Sequence, residues 1–169
     1  MSDPSLTSKI PHASSLTEAR LRKIEELEDL GIPPFTTGFV PDVNAAVFKQ
    51  RFGDVADLEL LGDSLHMAGR IMALRILGKA SFLRLNDESG DFQAYLARDT
   101  LGVENYKLVK KLDVGDIIGV RGRPFRTRTG ELSILVDHIQ ILTKSLRPLP
   151  EKWHGLRDIE TRYRQRYVD

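Results

Sequence analysis

The chain of 169 residues has no cysteine. That excludes disulfides, thiolate nucleophiles and cysteine-ligated zinc or iron–sulfur centres. Histidine is scarce as well. His12, His66, His138 and His154 lie far apart, and none has a metal-ligand or triad partner at diagnostic spacing. A lone strand histidine such as His66 or His138 is ordinarily structural. There is no P-loop and no dinucleotide-binding glycine fingerprint, and the glycines of GVRGRP (119–124) read as curvature in a strand. The carboxylates fall mostly on an exposed helix or in turns. No catalytic residue, metal or cofactor is therefore expected in this chain. No apolar run approaches the length of a membrane span. The N-terminal MSDPSLTSKIPH is polar and proline-broken, without a basic stretch leading into an apolar one, so no signal peptide is expected. The expectation is a soluble, cytoplasmic protein with no membrane contact.

Apolar residues make up 41% of the chain, enough for the core of one compact domain with appendages. The net charge is only +1, but it is unevenly spread. Residues 1–64 carry six Lys and Arg against eleven Asp and Glu; residues 65–147 carry fourteen against nine. The middle of the chain is locally basic, as a surface that follows phosphates must be.

Residues 1–14 read as a flexible tail. Ser15 to Glu18 has the Ser-x-x-Glu form of a capping box, and a helix is expected to run to Leu30 and stop at Gly31, with Pro33 and Pro34 behind it. Leu21, Ile24, Leu27 and Leu30 give it an apolar stripe, and its charged face is expected to be solvated. After a proline-rich connector, Asp42 is expected to cap a second short helix, Val43 to Phe52, ended by Gly53. With the acidic stretch 54–64 this makes a helical extension over 15–64.

From Leu65 the pattern becomes that of strands. Residues 65–77 form a long apolar run in which Gly69 suggests a bend or bulge. SFLRLND (81–87) and DFQAYLA (91–97) alternate apolar and polar residues around Asp87-Glu88-Ser89-Gly90, so they should form a hairpin. Residues 99–112 are helical in character, with Leu101, Val103, Leu108 and Leu112 available for burial. Two more strands follow, 116–125 and 131–142, around the turn Thr127-Arg128-Thr129-Gly130. Three strands, a helix and two strands is the order of the OB-fold, a five-stranded Greek-key barrel. The expected class is mainly β with flanking helices, an OB barrel over 65–145 preceded by N-terminal helices. An open meander with a helix on one side is the alternative. Residues 146–169 begin with the stiff Leu146-Arg147-Pro148-Leu149-Pro150 linker.

OB barrels bind single strands across strands 2 and 3, where unpaired bases stack on aromatic rings and guanidinium planes. The first three strands place Arg75, Phe82 and Gln93 close together. Phe82 offers a stacking platform, Gln93 a donor and an acceptor that match uracil N3–H and a carbonyl, and Arg75 a donor. Glu131, after the last turn, can accept from a base amino or imino group. Lys79, Arg84, Arg123, Arg126 and Arg128 are candidate phosphate contacts. Taken singly, Phe82 could be core and the others ordinary surface residues; Phe82 and Gln93 matter jointly, because they fall on adjacent strands of the binding face. Only one stacker is evident.

GKASFLRLND (78–87), DFQAYLARD (91–99), DIIGVRGRPFRTRTGELSI (116–134), ILTKSLRPLP (141–150) and KWHGLRDIETRYRQRYVD (152–169) resemble the N-terminal part of class II lysyl-tRNA synthetases. The resemblance covers residues 16–169. It implies an anticodon-binding OB-fold and, in the longer enzyme, a catalytic domain that forms lysyl-adenylate from lysine, ATP and magnesium. It also implies that Phe82 stacks on the middle anticodon uridine while Arg75 and Gln93 read its edge, and that Glu131 contacts a neighbouring base. The implied partner is the anticodon stem-loop of tRNA-Lys; the longer enzyme would be a homodimer, which leaves open the state of this piece. The chain ends where the catalytic domain should begin, so a fragment without activity is expected, with 146–169 as linker and lead-in. The alternatives are the equivalent domain of an aspartyl or asparaginyl enzyme, a generic single-strand-binding module, and an interaction module built on the charged helix.

Overall fold

Period-two alternation means that every second residue of a strand faces one side, and the second half of the chain uses that rule to line the inside of a barrel. The computed structural model describes residues 15–55, 58 and 64–147. The expected tail 1–14, most of the acidic stretch 54–64, the linker beyond Arg147 and the lead-in, with His12 and His154, lie outside the described residues.

Five strands, β1 (Leu65–Leu77), β2 (Ala80–Asp87), β3 (Gly90–Ala97), β4 (Ile117–Arg126) and β5 (Leu132–Thr143), close in the order β1-β2-β3-β5-β4. This is the expected OB barrel and not an open meander. The first half of β1 pairs with β4 and the second half with β2. The two halves meet at Arg70, and the irregularity in β1 falls just beyond, between Ile71 and Ala73, not at Gly69. Gly69 serves close approach instead: a Cβ there would lie 3.0 Å from the Asn86 carbonyl oxygen and 3.2 Å from the Phe92 ring. Inward-facing Met67, Ile71, Leu83, Leu85, Ala94, Leu96, Ile118, Val120, Ile134 and Val136 are fully buried. Asp87 holds the β2–β3 turn by accepting from the Ser89 and Gly90 amides.

Between β3 and β4 run α3 (Arg98–Leu101) and α4 (Val103–Val109). Gly102, at φ 85°, breaks what the sequence suggested as one helix. Leu101, Leu108 and Leu112 are buried as expected, but Val103 begins a new helix after the break and is exposed. Tyr106 closes this end of the barrel, its hydroxyl 2.8 Å from Ser81 Oγ.

The N-terminal helices are α1 (Ser15–Asp29) and α2 (Ala45–Phe52). The N-cap of α2 is Asn44, whose side chain accepts from the Val47 amide, and not Asp42. Asp42 accepts from the His66 amide at 2.9 Å and lies 3.2 Å from His66 Nδ1. The Ala45 amide is met by the Asp87 carboxylate from across the chain. Of the expected apolar stripe on α1, Leu27 is fully buried and Leu30, just past the helix, is exposed. The charged face is not simply solvated. Arg20 donates to the carbonyls of Val114, Ser145 and Arg147, Lys23 pairs with Asp113 at 2.6 Å, and Glu26 pairs with Lys111.

Asp113 leads to a buried ionic cluster. The Lys144 ammonium has no solvent exposure and donates to Asp113 at 2.5 Å, Asp116 at 2.6 Å and the Lys111 carbonyl at 2.8 Å. Asp116, equally buried, also accepts from the Ser145 and Asp113 amides. Every donor of the ammonium is met, which is what makes its burial tolerable. Lys144→Ala would leave the Asp116 carboxylate buried without its cation. It is expected to lower the unfolding free energy by about 3–5 kcal/mol in urea denaturation, whereas Lys23→Ala, whose pair is part-exposed, should cost about 1 kcal/mol or less.

Burial alone would raise the Asp113 carboxyl, but hydrogen bonds from Lys144 and Lys23 outweigh it and hold the group below its ordinary 3.8. The unfolded chain therefore takes up this proton first. The stabilisation is complete above the ordinary value and is lost as pH falls through the lowered one. Urea midpoints measured from about pH 5 to pH 2 should fall, and Asp113→Asn should flatten that dependence.

Candidate nucleic-acid interface

Where β1, β2 and β3 lie side by side, their outward residues and the β4–β5 turn enclose a groove of about 800 Å³. Arg75 and Phe82 are paired across β1 and β2, and Phe82 is paired with Tyr95 across β2 and β3. Phe82 is half-buried on the outer face, while its neighbours Leu83 and Leu85 fill the barrel. It is thus not a core residue. Its ring lies 4.9 Å from that of Tyr95, which is stacked 5.4 Å from Phe125 at an interplanar angle of 25°. The single stacker suggested by the sequence is one of three rings in a row. Tyr95 could have been found, since alternation puts it on the same side as Gln93. Phe125 could not, because the register of β4 shifts between Arg121 and Gly122.

Gln93 lines the groove beside this row and donates from Nε2 to Ser133 Oγ at 2.9 Å. Glu131 also lines the groove and is exposed. Its position follows from a tightly tied turn: its amide donates to Thr127 Oγ1, its carbonyl accepts from the Thr127 amide, and Gly130 at φ 84° carries the reversal. Arg75, Phe82, Gln93 and Glu131 are therefore brought to one groove.

The basic candidates divide. Arg128 lines the groove, is exposed, and pairs with no described residue. Arg84 lines it while bound to Asp91 at 2.5 Å; bonds from Lys49 first and Arg84 next hold the Asp91 carboxyl below its usual range. Arg126 also lines it, but its guanidinium donates to the carbonyls of Phe52, Gly53, Val55 and Gly130. Lys79 and Arg123 are exposed and stand outside the lining. Counting lining side chains, four arginines face one glutamate, so the groove is electropositive with an apolar floor. Such a surface offers π faces and guanidinium planes to bases and positive charge to phosphates.

Among the described residues no three His, Asp or Glu side chains are grouped to hold a metal. No described helix is long and apolar enough to cross a membrane. His66 is held by Asp42 and the edge of Phe39, and His138 lines a second groove of about 510 Å³ near Thr36 and Asn105.

Residues 65–142 match the model of the tRNA anti-codon family, an OB-fold nucleic acid binding domain. The chain is 52% identical over 156 residues to a lysine--tRNA ligase of Syntrophomonas wolfei, which covers 92% of this chain and 31% of that protein. It is 50% identical over 155 residues to one of Magnetococcus marinus, covering 89% and 30%, and 53% identical over 131 residues to one of Xylella fastidiosa, covering 78% and 26%. The chain thus spans less than a third of the length of these relatives.

The division among the arginines can be checked by urea denaturation. Arg126→Ala should lower stability by about 1.5–3 kcal/mol, the worth of a bond from a charged donor, and Arg128→Ala should leave it within about 0.5 kcal/mol.

Proposed function

We propose that this chain is the anticodon-binding part of a lysine--tRNA ligase, on the premise that its residues 65–142 match the model of the OB-fold nucleic acid binding domain family. The observation that carries the proposal is the row Phe82–Tyr95–Phe125 with Arg75, Gln93 and Glu131 around it, in a chain about half identical to ligases of that name. In this reading Phe82 stacks on the middle base of the anticodon. Arg75 and Gln93 hydrogen-bond its edge, and Glu131 accepts from a neighbouring base. Arg128, with Lys79 and Arg123 further out, meets phosphates, while Arg84 and Arg126 also hold the walls of the site.

The longer protein would attach lysine to tRNA-Lys in the cytoplasm as a homodimer, with ATP and magnesium. The groove offers aromatic rings, arginines, an amide and a single carboxylate. That donor set does not suit a magnesium–nucleotide site, which needs oxygen ligands, so those groups are assigned to the catalytic part of the longer protein. Residues 15–64 would serve as an extension to the barrel, and 146–169 would lead from it to the catalytic part.

A second reading is a sequence-tolerant single-strand-binding module, and the three-ring row favours it more than one ring would. Fluorescence anisotropy separates the two. A labelled stem-loop with a UUU anticodon should bind at least about tenfold more tightly than one with adenine in the middle, each lost base contact costing about 1–3 kcal/mol. Phe82→Ala should weaken binding of the UUU loop by about ten- to a hundredfold. Equal binding of both loops would remove the anticodon assignment and leave the sequence-tolerant module.

A further inference from the structure

Ser133 has no exposed surface, yet it is the residue opposite Gln93 in the parallel pairing of β3 and β5. Its hydroxyl makes two bonds. It accepts from Gln93 Nε2 at 2.9 Å and donates to the Glu131 carbonyl at 3.3 Å. A carbonyl can only accept, and a serine hydroxyl has one proton. With that proton directed to Glu131, the hydroxyl can face Gln93 only as an acceptor. The amide of Gln93 must then turn its NH₂ toward Ser133, and its Oε1 and remaining N–H are what it offers to the groove.

The sense of that amide matters because uracil and cytosine differ at the edge it would read. Uracil presents an N3–H donor between two carbonyl acceptors. Cytosine presents an N3 lone pair beside an amino donor. An amide fixed with its oxygen as the acceptor toward N3 pairs with uracil and sets two lone pairs against each other with cytosine. An amide free to turn over could satisfy either.

We propose that Ser133 is a positioning residue that locks the Gln93 amide in one sense and so makes the groove select uridine over cytidine. Through the same hydroxyl it links the Gln93 side chain on β3 to the Glu131 main-chain carbonyl just before β5. Ser133 itself is enclosed and touches no base. This inference rests on the anticodon-binding reading of the groove and deepens it.

The test uses the chain as it stands and two labelled stem-loops that differ only in U or C at the middle anticodon position. Wild type should prefer U. Ser133→Ala should lower the U-over-C preference by about tenfold, the range of one buried hydrogen bond, chiefly by improving binding of the C loop. Ser133→Cys keeps the volume with a weak donor and acceptor and should move the preference the same way, so a packing loss peculiar to alanine is separated from the lost hydroxyl. Ser133→Thr restores the hydroxyl and should restore the preference. In a Gln93→Ala background Ser133→Ala should change the preference no further, because Ser133 acts through Gln93. A wild type that binds both loops equally would sink the anticodon reading itself. A wild type that prefers U while the alanine and cysteine variants keep its full preference would overturn only the role of Ser133. So would an alanine variant that weakens both loops equally.

Discussion

Gln93 with Ser133, Ala94 with Ile134 and Tyr95 with Leu135 join β3 to β5 in parallel, and the barrel closes through these pairs. Parallel neighbours cannot be joined by a tight hairpin. The chain has to leave β3, cross one end of the barrel and return, which is the task of α3, α4 and β4. Closure also sorts the side chains. Ala94 and Ile134 go to the core, while Gln93 and Tyr95 face the groove. The aromatic row is a product of the same closure, because Phe125 reaches Tyr95 only when the end of β4 is carried round beside β3 by β5. The groove is therefore a property of the closed barrel and not of any single hairpin.

The far end is held by different chemistry. Lys144 follows directly on β5, Asp113 and Asp116 precede β4, and Lys23 belongs to α1. One buried cation thus fixes the exit of the last strand against the entry of the fourth and brings the N-terminal helix to the same point. An apolar cluster could fill the space as well, but it would lack the directional bonds by which Arg20 and Lys23 set the angle of α1. The N-terminal extension is coupled to the barrel at several places, among them this cluster, the contact of the β2–β3 turn with the start of α2, where Asp87 and Ser89 accept from the Ala45 and Ala46 amides, the bonds of Asp42 with His66, and those of Arg126 with the Phe52, Gly53 and Val55 carbonyls.

Strand limits and the turns at 87–90 and 127–130 were legible because strict alternation between turn residues has few other readings. The grouping of Arg75, Phe82, Gln93 and Glu131 was legible from strand order and from resemblance. What escaped depended on contacts distant in sequence. Asp42 and Asn44 are both good N-caps, and the choice was decided by His66, which draws Asp42 away. The charged face of α1 looked solvated because its partners lie 90 and 125 residues further on. The roles of Arg84 and Arg126 were hidden for a related reason, since arginine has the same charge whether it meets a phosphate, Asp91 or a row of carbonyls.

The long first strand has a consequence for how the protein forms on the ribosome. Its second half finds β2 within a few residues, and β3 follows at once, so a three-stranded meander can assemble from local contacts. Its first half, Leu65 to Arg70, waits for β4, which begins at Ile117. For the time it takes to make those intervening residues, this half of β1 is an unpaired edge with Leu65 and Met67 uncovered, and such edges recruit other chains. The bonds that the His66 carbonyl accepts from the Asp42 and Val43 amides, and the one that the His66 amide donates to the Asp42 carboxylate, are to chain already synthesised. Because the N–H and C=O of His66 point to one side, these bonds hold the opposite edge of the half-strand, and the edge that awaits β4 stays open until β4 emerges.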